Sequence, residues 1–290
     1  MEIAIRLICL FFGYLFGLIE TGYLYGKAKG VDIRQHGSGN VGTTNMLRTL
    51  GKRAGAIVLL GDMLKTFIRV LLAWFICHQF FPELDYIVRL YTAAGVILGH
   101  DYPFYLKFKG GKGIACSGAM ILSFYWGIIP AEVVIFFGIY FLTKYVSLAS
   151  IFMYLGFFVQ VILFGQAGLL GMSQGMLIEV YIIIFILTVI AINCHRENIK
   201  RLLKGEERRT YLRSRDKSYL SGENADGQSG DADTSDNNAV ALEVPDSEAE
   251  SDVEVNTAAE SEEIIIRAKP DEVIVSETRE DNMSGKQDTE

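Results

Sequence analysis

His36-Gly37-Ser38-Gly39-Asn40-Val41-Gly42-Thr43-Thr44-Asn45-Met46-Leu47-Arg48 is a polar, glycine-rich run that carries one arginine. It lies between two long apolar segments, where a chain ordinarily spends a short loop. Glycine lets the backbone turn its N–H groups inward and lets a ligand approach closely. Ser, Thr and Asn supply short donors, and the guanidinium of Arg48 is a planar fork suited to phosphate. The run reads as an anion pocket at a membrane edge. Gly37–Gly42 also fits G-x-G-x-x-G, but it is weak as a dinucleotide fingerprint, since no apolar strand precedes it and no βαβ unit surrounds it.

Outward from this run, seven apolar segments appear, at about 3–25, 54–81, 86–106, 114–129, 130–143, 147–170 and 176–194. A bilayer-spanning helix needs about 20 residues. The fourth and fifth segments are short and meet at Pro130, as a tight helical hairpin or one broken span. The runs are too long for strands and lack period-two alternation. The fold expected is therefore all-α: a polytopic membrane protein of about seven transmembrane helices, or five with two re-entrant pieces. Every second loop is basic, from Lys27–Arg53 through Lys107–Lys112 and Lys144 to Arg196–Arg209. The positive-inside rule then puts the N-terminus outside, the C-terminus in the cytoplasm, and the glycine clusters on the cytoplasmic face.

The 290 residues are half hydrophobic, with a mean hydropathy of +0.27. Two materials are joined. Residues 216–290 carry 22 acids against 5 bases, whereas residues 1–215 carry 12 against 22. The domain division expected is a transmembrane domain at 1–215 and an acidic, disordered tail at 216–290, whose short apolar islands suit a cytoplasmic partner. The first apolar run has no clear cleavage site and reads as a retained anchor. Four separated cysteines, Cys9, Cys77, Cys116 and Cys194, form neither a disulfide framework nor a metal signature.

Three further polar islands follow. Asp62 and Lys65 interrupt the second apolar segment three residues apart, on one helix face, with Arg69 one turn on. Gly99–Gly113 holds His100 and ends in Gly110-Gly111-Lys112-Gly113, just before a helix whose N-terminus with Lys112 suits an oxyanion or phosphate. Thr143–Ser147 is a short polar break. His195–Glu206 follows the last span, with His195 and Asn198 on one face of a continuing helix and His195 placed to act as a base or donor.

These islands together resemble the PlsY family of bacterial acyl-phosphate:glycerol-3-phosphate acyltransferases. The GSGNVGxTN run and the GHxxPFxxFKGGKG-like run carry the likeness most specifically, and it covers about the first 210 residues. Tyr105, Cys116 and Lys144 stand where the family tends to have Phe, Thr and Arg. The resemblance implies transfer of an acyl group from acyl phosphate to glycerol 3-phosphate, giving lysophosphatidate and phosphate, as the first step of phospholipid synthesis. It implies His195, Asn198 and Ser38 as catalytic. Substrate binding would fall to Arg48, Lys112, Asn40, Thr44, Asn45, His100, Lys144, Ser147 and the amides of Gly110, Gly111 and Gly113. Asp62, Lys65, Arg201 and Glu206 would support them. Neither metal nor cofactor is implied; the partners are the two substrates and membrane lipids, with no nucleic acid, and the location is the cell membrane. No histidine is followed by Asp across four intervening residues, so the pattern of coenzyme-A-dependent glycerolipid acyltransferases is missing. A transporter or channel with a cytoplasmic-face anion site is the rival reading.

Overall fold

The structure is a computed structural model that describes residues 1–211; the acidic tail and its boundary lie outside the described residues. All seven apolar segments are helical. In chain order the helices are α1 (Glu2–Gly17), α2 (Thr21–Ala28), α3 (Thr43–His78), α4 (Asp85–Asp101), α5 (Ile114–Phe124), α6 (Ile129–Thr143), α7 (Val146–Gln166), α8 (Gln174–Cys194) and α9 (Arg196–Lys204). Among the described residues, four helical stretches are long and apolar enough to cross a membrane: Glu2–Ala28, Trp126–Thr143, Val146–Gln166 and Gln174–Cys194. The surface agrees, since Leu60, Leu64, Ile68 and Phe75 on α3 and Val134 and Leu142 on α6 point outward. A water-soluble helix keeps polar residues on such a face.

Local breaks shape the site. Gly51 sits inside α3 at φ 82°, ψ −176°, a left-side conformation open to glycine, so the helix bends between Arg48 and its apolar length. The Leu18–Glu20 interruption separates α1 from α2. Tyr125 is extended (φ −150°), and a 3-10 turn at Trp126–Ile128 leads into α6 with Pro130 in its first turn. The start of α5 and the end of α6 both reach the cluster described below, so the chain reverses direction between them.

Helix α1 lies against α4 through glycines. A methyl group on Gly95 would fall 2.2 Å from the Leu10 carbonyl oxygen, and one on Gly99 2.2 Å from that of Tyr14. Gly13 and Gly17 face them, each four residues apart like their partners, the small-residue spacing that lets membrane helices approach closely. Arg6 joins the far ends of α1 and α8 through Glu179, at 2.6 and 2.9 Å, and Tyr91 of α4 donates to the same carboxylate at 2.8 Å. The core between them is apolar and aromatic, with Phe124 and Phe157 packed edge to face at 5.7 Å.

Candidate active site

The first polar loop closes around one side chain. Asn45, buried in the first turns of α3, donates Nδ2 to the carbonyls of Ile33 (3.3 Å), His36 (3.0 Å) and Asn40 (2.8 Å). Its Oδ1 accepts from the Ser38 amide at 2.9 Å. Those bonds occupy both amide hydrogens, so Asn45 holds the loop together and has no donor left over. Gly37 and Gly39 turn within it at φ 61° and 69°. The result presents Ser38, which is exposed, and half-exposed Thr44.

Asn40 links this loop to the second. Its Nδ2 donates to the Gly110 carbonyl at 3.1 Å, and its Oδ1 accepts from the Gly42 amide at 2.9 Å. In the second loop the Gly110 and Gly111 amides are already committed, to the carbonyls of Asp101 (3.1 Å) and His100 (3.0 Å). The expectation that these two amides bind substrate is therefore corrected. Among the described residues, no backbone carbonyl accepts from the amides from Lys112 to Cys116, at the N-terminus of α5. Gly113 opens that helix in a left-handed conformation, φ 65°.

His100 lies behind the loop and is buried. Its Nδ1 is 3.1 Å from Glu20 Oε1 and 3.0 Å from Lys65 Nζ. Its Nε2 would be 2.0 Å from a methyl group on Gly111. Lys65 pairs with Asp62 at 3.0 Å, as their spacing predicts, and donates to the Ile19 carbonyl at 2.7 Å. Thr21 donates to Asp62 at 2.9 Å. Asp62 and Lys65 thus secure the α1–α2 break and the glycine loop together. Arg69 does not join them; its guanidinium stacks over Phe12 and Phe16 on α1.

The last island meets the second through Lys112, whose ammonium donates to Asn198 Oδ1. Asn198 Nδ2 donates to Glu207 Oε1 at 2.6 Å, Ser147 Oγ to the same oxygen at 2.8 Å, and Arg201 Nε to Oε2 at 2.8 Å. Glu207, and not the exposed Glu206, is the buried carboxylate here. The reason is a helix end: Gly205 takes φ 73° after α9, and the Glu206 amide returns to the Arg201 carbonyl at 2.8 Å, which swings the next residue inward. Arg48 Nη2 donates to the Thr210 hydroxyl at 2.7 Å and to the Arg208 carbonyl at 3.0 Å, so the segment after α9 crosses to the first loop. Lys144 departs from expectation. It adopts φ 63°, and its ammonium lies over the rings of Tyr140 and Phe141 at 5.8 and 5.3 Å, while its carbonyl accepts from the Thr210 amide. A point charge on a flexible stem lacks the bidentate hold of arginine, and here the aromatic faces take it.

Burial sets the charges. His195 sits in the break between α8 and α9, 3 % exposed, with Nδ1 2.8 Å from the Ala191 carbonyl. That carbonyl can only accept, so Nδ1 carries the proton and Nε2 keeps a lone pair. Burial, reinforced by Lys112, lowers the imidazole to about 4, which keeps it neutral at physiological pH. Burial also lowers Lys112 to about 8, an effect that Glu207 opposes. Burial alone would raise Glu207; hydrogen bonds from Asn198, Arg201 and Ser147 outweigh it and hold the carboxyl below its usual range. The site therefore combines a marginally protonated lysine, a neutral imidazole with a free acceptor, and a helix N-terminus with open amides.

Sequence reading missed Glu207, Glu20, Thr21 and Thr210. Only Glu207 had a signal, its position just past a glycine that ends a basic helix.

A family model described as glycerol-3-phosphate acyltransferase matches residues 7–205. Two similar curated relatives carry that same name. The one from Staphylococcus haemolyticus (strain JCSC1435) is 39 % identical over 203 residues, 69 % of this chain and 95 % of the relative. The one from Bacillus subtilis (strain 168) is 38 % identical over 200 residues, 67 % and 92 % of the two chains. Among solved structures, PlsY, an integral membrane glycerol 3-phosphate acyltransferase, in its glycerol 3-phosphate form is 35 % identical. It aligns at a TM-score of 0.60, over 71 % of this chain and 96 % of that one. Its lysophosphatidic acid form aligns at 0.58.

Proposed function

Because this chain belongs to the glycerol-3-phosphate acyltransferase family, we propose that it acylates glycerol 3-phosphate with an acyl phosphate, releasing lysophosphatidate and inorganic phosphate in phospholipid synthesis. The observation that carries the reading is the chain of contacts from the α5 N-terminus through Lys112 and Asn198 to Glu207, with neutral His195 beside it. An acyl phosphate is already activated, so positioning and charge stabilisation are what the protein must add.

The glycerol hydroxyl attacks the acyl carbonyl; the new C–O bond forms and the bond to the phosphate oxygen breaks. His195 Nε2 accepts the hydrogen bond of the attacking hydroxyl and orients it. With its affinity for protons lowered to about 4, His195 is a poor store for the proton, so the departing phosphate takes it. Lys112 and the open amides of α5 hold phosphate oxygens and the carbonyl oxygen as it gains charge. Arg48 and Ser38 bind the phosphate of glycerol 3-phosphate, and Ser147, Asn198 and Arg201 are ordered by Glu207 to complete the wall. Seven crossings, with the site and C-terminus on the cytoplasmic face of the cell membrane, fit the alternation of basic loops.

Purified protein supplied with palmitoyl phosphate and radiolabelled glycerol 3-phosphate is the test. Lysophosphatidate and phosphate should appear in equal amounts without coenzyme A. Folded protein that makes product only from acyl-coenzyme A would refute the donor, and no product from either would refute the activity.

A further inference from the structure

At the end of the bundle away from Lys112, α5 stops short. Its eleven residues cover about 16 Å, roughly half the ~30 Å hydrocarbon core of a bilayer. The recess beyond its C-terminus is a cavity of about 270 Å³ lined by Tyr86, Arg89, Leu122, Tyr125 and Trp126, among others, with no acid in its wall. Arg89 stands one turn into α4. Its Nη1 donates to the Ser123 carbonyl at 3.1 Å and reaches that of Phe124 at 3.4 Å, which caps α5. The guanidinium lies over Trp74 at 4.9 Å and Tyr86 at 5.7 Å. Its Nε and the Trp74 indole Nε1 are buried with no hydrogen-bond partner among the described residues. The neighbouring carboxylate, Asp85, is held by His78 at 2.9 Å.

A cation at membrane depth ordinarily pairs with an acid or faces a polar cavity. Arg89 has the cavity and no acid. Tyrosine and tryptophan around it belong to the headgroup level of a membrane. We infer that this recess binds the phosphate of an anionic phospholipid headgroup from the leaflet opposite the catalytic site. Part of the Arg89 fork takes the phosphate oxygens, Tyr86 and Tyr125 add hydroxyl donors, and exposed Leu122 and Trp126 flank the acyl chains. The cavity is too small for a whole lipid and of a size for a phosphate with its glycerol, just below the ~300–1,000 Å³ range of small-ligand sites.

Of the chain's two tryptophans, Trp126 lines this recess and Trp74 packs against the Arg89 guanidinium behind it, so intrinsic fluorescence reads the site. The protein is reconstituted in vesicles of phosphatidylcholine and phosphatidylglycerol at fixed composition, with brominated chains placed on one lipid or the other. Brominated phosphatidylglycerol should quench as if bound about five-fold more tightly, the size expected for one basic residue near the surface. Arg89→Gln should abolish that preference while acyl transfer stays unchanged, and Arg89→Lys should retain it. Trp126→Phe, which leaves Trp74 as sole reporter, should also retain it, and this variant decides the matter if Arg89→Gln does not fold. Equal quenching by the two lipids in the unaltered protein, or a preference that survives in Arg89→Gln, would overturn the assignment. Relief of quenching by added inorganic phosphate would identify a free-anion site and overturn the lipid.

Discussion

Glu207→Gln separates an electrostatic role for Glu207 from a merely structural one. In the folded protein its carboxylate stands two hydrogen bonds and one amide from the Lys112 ammonium, through Asn198. That path is about 7 Å, where opposite charges at an effective dielectric of ~20 attract by about 2 kcal/mol. Removing the charge should thus lower the lysine by one to two pKa units, from the present value of about 8. At pH 7.5 the ammonium fraction would fall roughly three- to twenty-five-fold, and by pH 6 it would recover to between about half and nine-tenths. The assay is kcat/KM for glycerol 3-phosphate between pH 6 and 8.5. The variant's profile should show its alkaline fall shifted to lower pH, and Lys112→Arg in the same background should remove that fall. Stability gives a second check. Glu207 is held below its usual carboxylate range, so it stabilises the fold above the unfolded value of about 4.3 and that contribution fades as pH drops through the folded value. The variant should melt lower than wild type at pH 7, and the gap should narrow toward pH 4. A loss of activity that is uniform across pH would refute the electrostatic argument.

Asn45→Ala strands three carbonyls and one amide; at about 1 kcal/mol for each bond, it should lower stability by about 3–4 kcal/mol and raise the apparent KM for glycerol 3-phosphate, both measurable in detergent. An unchanged melting temperature would show that the loop closes without it. Gly95→Ala places its methyl 2.2 Å from the backbone oxygen of Leu10; overpacking of this kind costs about 1–3 kcal/mol or more and should appear as a lower melting temperature with KM preserved. Lys112, at about 8 in the free protein, should regain its proton when phosphate binds. Calorimetry at pH 8.5 in buffers of different ionisation enthalpy should then report proton uptake on binding glycerol 3-phosphate or acyl phosphate, and Lys112→Arg should report none. Uptake that persists in Lys112→Arg would assign the proton elsewhere.

Helical segments were legible because apolar length and the absence of two-residue alternation leave few alternatives in a bilayer. Asp62 and Lys65 were legible too, since a three-residue spacing fixes their shared face. What was not legible depends on how backbone groups are spent. Gly110 and Gly111 look like free donors until Asp101 and His100 are seen to occupy their amides. Asn45 looks like a ligand until the loop wraps round it. Glu206 and Glu207 are adjacent and alike, and only the left-handed turn at Gly205 decides which one faces inward. The four-residue glycine spacing on α1 and α4 was present in the sequence, but its meaning depended on the two helices being partners.

Acyl transfer by this chain requires its separated polar islands to meet at one membrane face. In a background lacking the four native cysteines, Ser38→Cys, Leu203→Cys and Phe80→Cys each place a thiol at an exposed position, in the first loop, on α9 and at the far end of α3. A membrane-impermeant thiol reagent should label Ser38→Cys and Leu203→Cys from the same side and Phe80→Cys from the other. Glycerol 3-phosphate should protect Ser38→Cys alone. Labelling of Ser38→Cys and Leu203→Cys from opposite sides would contradict the account.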